Sequence, residues 1–155
     1  MKIIVTGHDN IVGPWVCSRA GGSWSEGRGT TIGLLDTASN KLICGVLYED
    51  FNGANLSMHI AAEPGARWAQ SEFLRVWFDY PFRQLGCKRI TGIIASTNTA
   101  SRRMAEHLGL VLEATLKDAH PEGDLLIYAM RKQDCRWLNI KEKARHGEEL
   151  SACRA

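Results

Sequence analysis

The sequence predicts one α+β domain built on a mixed, mostly antiparallel sheet of six to seven strands. Three observations predict it. Segments 31–35, 41–49 and 55–62 read as strands joined by short turn-rich links, which implies an antiparallel meander. An amphipathic helical stretch then separates 55–62 from an apolar strand at 89–95, and a strand–helix–strand unit places a parallel pair there. Finally, a length of 155 residues suits a single domain. Such a chain buries about 68–70% of its unfolded surface, enough for a core without covalent staples.

Each element follows from local signals. Ile3 to Thr6 is a short strand. Asn10 to Ala20 carries Ile11, Val12, Trp15, Val16 and Cys17 at helical spacing, against the weakening effect of Gly13-Pro14. The glycine-rich run from Ala20 to Gly29 reads as a loop. Its Trp24 suits either a pocket wall or the edge of the core. Asp36 to Asn40 is turn-rich, Asn52-Gly53 is a hairpin signal, and Pro64-Gly65 stops the third strand of the meander. A long helix is expected over 66–85, with Phe73, Leu74, Trp77, Phe78, Phe82 and Leu85 on one face. Pro81 should kink it or end its regular part near Asp79, and Gly86 should stop it. Ser96 to Thr99 supplies capping chemistry for a short helix with Ala100, Met104 and Leu108 inward, ended by Gly109. Strands at 111–116 and 125–130 flank Pro121 to Asp124. Residues 132–155 form a charged tail, expected to be helical, whose apolar residues cluster at Trp137, Leu138 and Ile140.

Composition narrows the functional classes. Hydrophobic residues at 45% and charged residues at 23% are globular values. A net charge of +2 argues against a nucleic-acid partner held by bulk charge, and aromatic residues do not interleave with the basic ones as a stacking platform would. Five cysteines, an odd number without CxxC or zinc spacing, read as free thiols in a reducing compartment, with no metal site. No apolar stretch approaches the roughly 20 residues that span a bilayer, and the start is too short for a signal peptide. A soluble, cytoplasmic protein is expected, with no membrane partner.

Two strand-to-helix junctions suit an anion. From Pro81 to Ala105 there are five basic residues, Arg83, Lys88, Arg89, Arg102 and Arg103, and no acidic one. That stretch contains the helix start at Asn98, where free N–H groups and the helix dipole favour phosphate, with Arg102 and Arg103 one turn inside. The turn from Glu63 to Ala69 also joins a strand to a helix start. Two such junctions can converge on one phosphate-bearing ligand. A solvated basic face with an ordinary asparagine cap accounts for the same residues.

The segment from Ala95 to Leu110, with Asn98, Ser101 three residues later, and a helix closing in Leu108-Gly109-Leu110, resembles the signature of the GNAT acyl-CoA N-acyltransferases. Glu113 to Ala119 and Gly123 to Met130 resemble the last strands of the branch that acetylates ribosomal-protein N-termini, and His59 to Pro64 resembles the central strand and its exit. The likeness covers about 30–130 and extends to small members carried by phages, whose site of action would be the host cytoplasm. It implies a three-layer architecture with helices on both faces of the sheet, splayed between the strands at 55–62 and 89–95. Residues 1–131 are then the acyl-CoA-binding domain. Acetyl-CoA would lie in the splay, with the edge of Ala61 and Ala62 on the pantetheine, and the turn of Gly65, Ala66, Arg67, Trp68 and Ala69 on the pyrophosphate. Asn98 and Ser101 would hold the pantetheine and phosphate arm, and Arg102 and Arg103 the phosphates. The turn departs from the family pattern. It is about two residues short, and Ala66 and Trp68 stand where glycines are usual. Ala105 stands where a general-acid tyrosine is common.

Acetylating an amine needs a base and a stabilised thioester oxyanion. His59 is the first candidate base, since an imidazole titrates near neutrality. Glu63 is a second, and Tyr128 is a candidate acid for the leaving thiolate. Each has an ordinary structural reading: a strand histidine, a turn residue, a packed tyrosine. The expected activity is acetyl-CoA-dependent transfer to an amine, of a protein or peptide. The alternative is a degenerate GNAT-fold module acting through CoA or a partner protein. A homodimer is compatible with either.

Overall fold

In the computed structural model, which describes residues 1–140, seven strands form one sheet in the order β1-β2-β3-β4-β5-β7-β6. These are β1 (Lys2–Thr6), β2 (Gly29–Asp36), β3 (Lys41–Glu49), β4 (Asn55–Ala62), β5 (Arg89–Ala95), β6 (Val111–His120) and β7 (Gly123–Arg131). All neighbours are antiparallel except β4 and β5. The meander, the parallel pair and the closing hairpin therefore stand as the sequence predicts. Strands β6 and β7 run closer to each other's ends than expected, meeting at Pro121-Glu122.

Helices cover both faces, each drawn by a different set of alternating residues. Helix α1 (Asp9–Ala20) lies on one face and buries Val12, Val16 and Cys17 against Leu47 and Ala61. Its close approach needs a bare β3: a Cβ on Gly45 would meet Val16 Cγ2 at 2.7 Å. Helices α2 (Ser71–Asp79) and α3 (Thr99–Leu108) lie on the other face. There Leu74, Trp77, Phe78 and Leu108 join Val46, Tyr48, Met58, Ile90 and Tyr128 in the main core. The Tyr48 hydroxyl donates to the Trp77 carbonyl at 2.8 Å, and burial pushes its pKa well above the ordinary tyrosine value. Burial likewise pushes the Cys44 thiol up to about 12, so this cysteine behaves as a small apolar residue.

The expected helix over 66–85 is shorter. Gly65 takes a left-handed turn (φ +74°), and Trp68 N–H and Gln70 N–H donate to carbonyls only two residues back. Such tight turns exclude helical hydrogen bonding, so residues 66–70 stay irregular and α2 starts at Ser71. At its other end α2 stops at Asp79. Tyr80–Gln84 then continues as one π-helical turn, which accommodates Pro81 as expected. Past Arg131 the chain makes two short 3₁₀ turns, Lys132–Asp134 and Arg136–Asn139. These bring Cys135 and Leu138 into the core and stack Trp137 on Phe78 (centroids 6.4 Å). The rest of the tail lies outside the described residues.

Trp24 packs on α1, at the edge of the core. A Cβ on Gly13 would come within 2.4 Å of its ring, and its Nε1 donates to Asn10 Oδ1 at 3.2 Å. We expect Gly13→Ala to destabilise the protein by about 1–3 kcal/mol through overpacking, outweighing the roughly 1 kcal/mol that alanine gains in a helix. Urea unfolding, followed by a red-shifted tryptophan emission, measures both the cost and the displaced indole.

Candidate active site

The site begins where a ladder ends. Strands β4 and β5 pair over only three rungs, Asn55–Arg89, Leu56–Ile90 and Ser57–Thr91. Beyond them β4 stays with β3 up to Ala62, and β5 stays with β7 up to Ala95. The two strands therefore part from Met58 and Gly92 onward. Which backbone groups this frees follows from alternation. Glu63 N–H donates to Ile43 O at 2.9 Å, so Glu63, Ala61 and His59 spend their backbone groups on β3. Met58, Ile60 and Ala62 turn theirs toward the splay. The same parity holds upstream, where the Ala54 carbonyl accepts from Lys88 and Arg89 on the β5 side.

A cavity of about 660 Å³ fills the splay. Met58, His59 and Ile60 wall it on the β4 side, and Gly92 to Ala95 on the β5 side. Asn98 and Ser101 close one end, where Asn98 Oδ1 caps α3 by accepting from Ser101 N–H at 3.1 Å. Gly109, with φ +101°, ends that helix as the sequence predicts. Gly21 and Gly22 of the glycine-rich loop, together with His120 and Glu122 of the β6–β7 hairpin, complete the walls.

His59 points to the α1 face, in register with Leu47, and a buried carboxylate stands beside it. Glu49 Oε1 lies 2.9 Å from His59 Nε2, in ion-pair contact although not aligned as a hydrogen bond. The Glu49 side chain is only 5% exposed, against 28% for His59. Arg28 compensates the buried charge. Its Nε donates to Glu49 Oε2 at 2.6 Å and its Nη2 to Oε1 at 3.3 Å, and Nη1 donates to the Ser23 carbonyl. Those hydrogen bonds push the guanidinium pKa further up, so the charge is permanent. Burial raises the pKa of Cys17, which feels both Arg28 and Glu49. Neither Arg28 nor Glu49 stands out in the sequence. Glu49 reads as an ordinary strand end, and only the register sets it beside His59.

The other candidate residues are distributed as follows. Glu63 is held by Arg19, which stacks over Trp15 at 4.0 Å, a clamp between the end of α1 and the exit of β4. Tyr128 is 1% exposed in the core, where its hydroxyl donates to Glu106 Oε1 at 3.0 Å, away from the cavity. Ala61 packs under α1, and Ala62 presents its backbone to the open end of the splay. Within the turn, Gly65, Arg67 and Ala69 are exposed and Ala66 is half-buried; none of the four lines the cavity. Trp68 turns inward onto Trp77 (centroids 5.6 Å). Arg102 donates to the Ser96 carbonyl at 3.2 Å with its Nε buried and unpartnered, and Arg103 is exposed. Among the described residues no Lys or Arg lines the cavity, and the titratable ones on its wall are His59, His120 and Glu122. Among the described residues no group of three or more His, Cys, Asp or Glu side chains could hold a metal ion, and no helix is long and apolar enough to cross a membrane.

The residues present fit an extended acyl-CoA arm. Its amides match the unpaired backbone groups of Met58, Ile60 and Ala62, and the cavity has room for a thioester beside His59. A parted strand pair meeting a capped helix start is the architecture of a thioester-dependent acyltransferase. The chain belongs to the GNAT acetyltransferase family, and the model of the acetyltransferase (GNAT) domain matches residues 15–111. Solved structures share the fold. A spermidine N-acetyltransferase from Vibrio cholerae, seen as a dodecamer, is 16% identical (TM-score 0.67, over 89% of this chain and 96% of that one). The ribosomal-protein-S18-alanine N-acetyltransferase from Escherichia coli is 18% identical (TM-score 0.60, 84% and 94%). A GNAT-family acetyltransferase from Bacillus anthracis is 20% identical (TM-score 0.56, 66% of each chain). No curated protein matches.

Replacing Asn98 with alanine removes the α3 cap. It should cost about 1 kcal/mol of stability, read as a lowered urea midpoint at unchanged slope.

Proposed function

We propose that this protein transfers an acetyl group from acetyl-CoA to the amine of a protein or peptide, with His59 as the general base. The observation that carries the reading is the placement of His59, backed by a buried Glu49, on the wall of the cavity between the parted strands. Acetyl-CoA supplies the activated acetyl thioester. The backbone edge of Met58, Ile60 and Ala62 orients its arm, and Asn98 and Ser101 hold the far end. His59 takes one proton of the incoming ammonium and Glu49 stabilises the imidazolium that forms; as the new carbon–nitrogen bond displaces the carbon–sulfur bond, the second amine proton leaves with the CoA sulfur. Arg28 donates to both oxygens of Glu49 and so fixes their direction. Tyr128 and Glu63 take no step in this reading, because each is committed to a structural partner. A peptide or protein acceptor agrees with a cavity wall formed in part by a glycine-rich loop and a hairpin tip, connections of the kind that carry specificity in many enzymes. The likeness to transferases named for spermidine and for ribosomal-protein alanine leaves both small and polypeptide amines within the class.

A second reading, a degenerate module that binds CoA or a partner without turnover, draws on one observation. The turn expected to cradle pyrophosphate buries Trp68 against Trp77 and sets no residue from 65 to 69 on the cavity.

Calorimetry with acetyl-CoA should show binding; none at millimolar ligand overturns the first reading. His59→Gln should lower kcat by roughly 10²–10⁴-fold at little change in the KM for acetyl-CoA. Glu49→Gln, which keeps shape and removes charge, should lower kcat roughly 10–100-fold. CoA binding without turnover on a broad panel of amines supports the second reading.

A further inference from the structure

Helix α1 covers its face of the sheet only as far as β4. On the opposite face, Ile90 and Ile94 of β5 and Leu126, Tyr128 and Met130 of β7 are buried under α2 and α3. The alternate residues of β5, β7 and β6 therefore face the α1 side, where no element lies on them among the described residues. Register aligns them in rows, since cross-strand partners share a face. One row is Ile93–Ile127–Ala114 and the next is Ala95–Leu125–Leu116. All six residues are apolar. Ile93 and Leu116 are each 46% exposed, more than isolated surface residues of a sheet interior would need to be.

This bare face is continuous with the cavity. Ile93, Ala95 and Leu125 belong to both, and His59 projects from the same face of β4 directly across the splay from Ile93. Among the described residues Glu122, at the hairpin tip between the two, is the one acid on the cavity wall, and no Lys or Arg lines the cavity. The surroundings thus suit a cationic amine at His59 followed by apolar groups running toward β6. Dimensions limit how many. From β5 across β7 to β6 is two strand spacings, about 10 Å, the span of about three extended residues.

Building on the acetyltransferase reading, we infer that the acceptor is a polypeptide end whose amine enters at His59 and whose next three residues are apolar and lie across β5, β7 and β6. The acceptor then completes the layer that α1 leaves unfinished.

The test compares two octapeptides of equal charge, one with Val or Leu at positions two to four and one with Ser or Asn there, on wild type and on Leu116→Ser. Leu116 is outside the cavity, and the polar peptide's KM on each protein is that protein's baseline. The apolar peptide should show a KM about tenfold lower on wild type, and Leu116→Ser should erase most of that advantage. Equal KM values for the two peptides, or an advantage that survives in the variant, overturn the inference while leaving the acetyltransferase reading intact. Direct binding of both peptides to the CoA-loaded protein separates the opposite failure. Preferential binding of the apolar peptide without turnover keeps the docking face and removes the activity. Sedimentation of both proteins covers the remaining occupant. A wild-type dimer that Leu116→Ser makes monomeric, with no peptide preference, assigns the face to a second copy and overturns the inference.

Discussion

The parallel pair of β4 and β5 is the constraint on which the rest depends, and it lasts three rungs. A longer ladder would pair the edges of Met58 to Ala62 and Gly92 to Ala95 with each other and leave no cavity. A shorter one would separate the meander from the β5–β7–β6 unit. Each strand is held elsewhere, β4 by β3 and β5 by β7, so the parting costs the ladder few bonds yet leaves strong donors and acceptors without partners. Those groups must find water or a ligand. Helix α3 closes one face behind the splay, and the other face stays open at His59.

Charge is spent on structure more than on the site. Of the five basic residues in the acid-free stretch, Arg83 holds Asp79 and the Leu138 carbonyl, Arg89 holds Glu113, and Arg102 holds the Ser96 carbonyl. The Glu113 carboxyl is kept below the usual carboxylate range by Arg89. What the charge pattern signalled as a phosphate site is in large part a set of ties between elements far apart in sequence. The buried carboxylate of Glu49, paired with a partly exposed Arg28, lies at the site instead. A buried carboxylate is costly unless it is well paired, so two donors from one guanidinium onto Glu49 are a reason for the loop to stay where it is.

The strands were legible because short apolar runs bounded by turn residues are local signals, and Asn98 and Gly109 bounded α3 for the same reason. The start of α2 was not legible. The apolar spacing of Phe73 to Leu85 is helical, but the tight turns through Trp68 and Gln70 depend on Trp68 reaching Trp77, a contact that spacing does not announce. At the site, His59 could be singled out by residue type and Asn98 by its motif. Glu49 and Arg28 could not, since their meaning comes from the register of β3 against β4 and from the fold of a glycine-rich loop. Tyr128 shows the converse: a chemically suitable residue that parity on β7 turns into the core.

Parity also separates two tasks. On β4, even positions turn their backbone to the splay and their side chains to the α2–α3 layer, whereas odd positions pair with β3 and turn their side chains to α1. In the proposed reading one strand therefore offers backbone to the acetyl donor and the His59 side chain to the acceptor. A substitution at an odd position changes the acceptor side without altering which backbone groups face the donor. Main-chain recognition tolerates sequence change as long as the ladder keeps its register. In the proposed reading the donor side can therefore stay constant while the acceptor side changes with the odd positions.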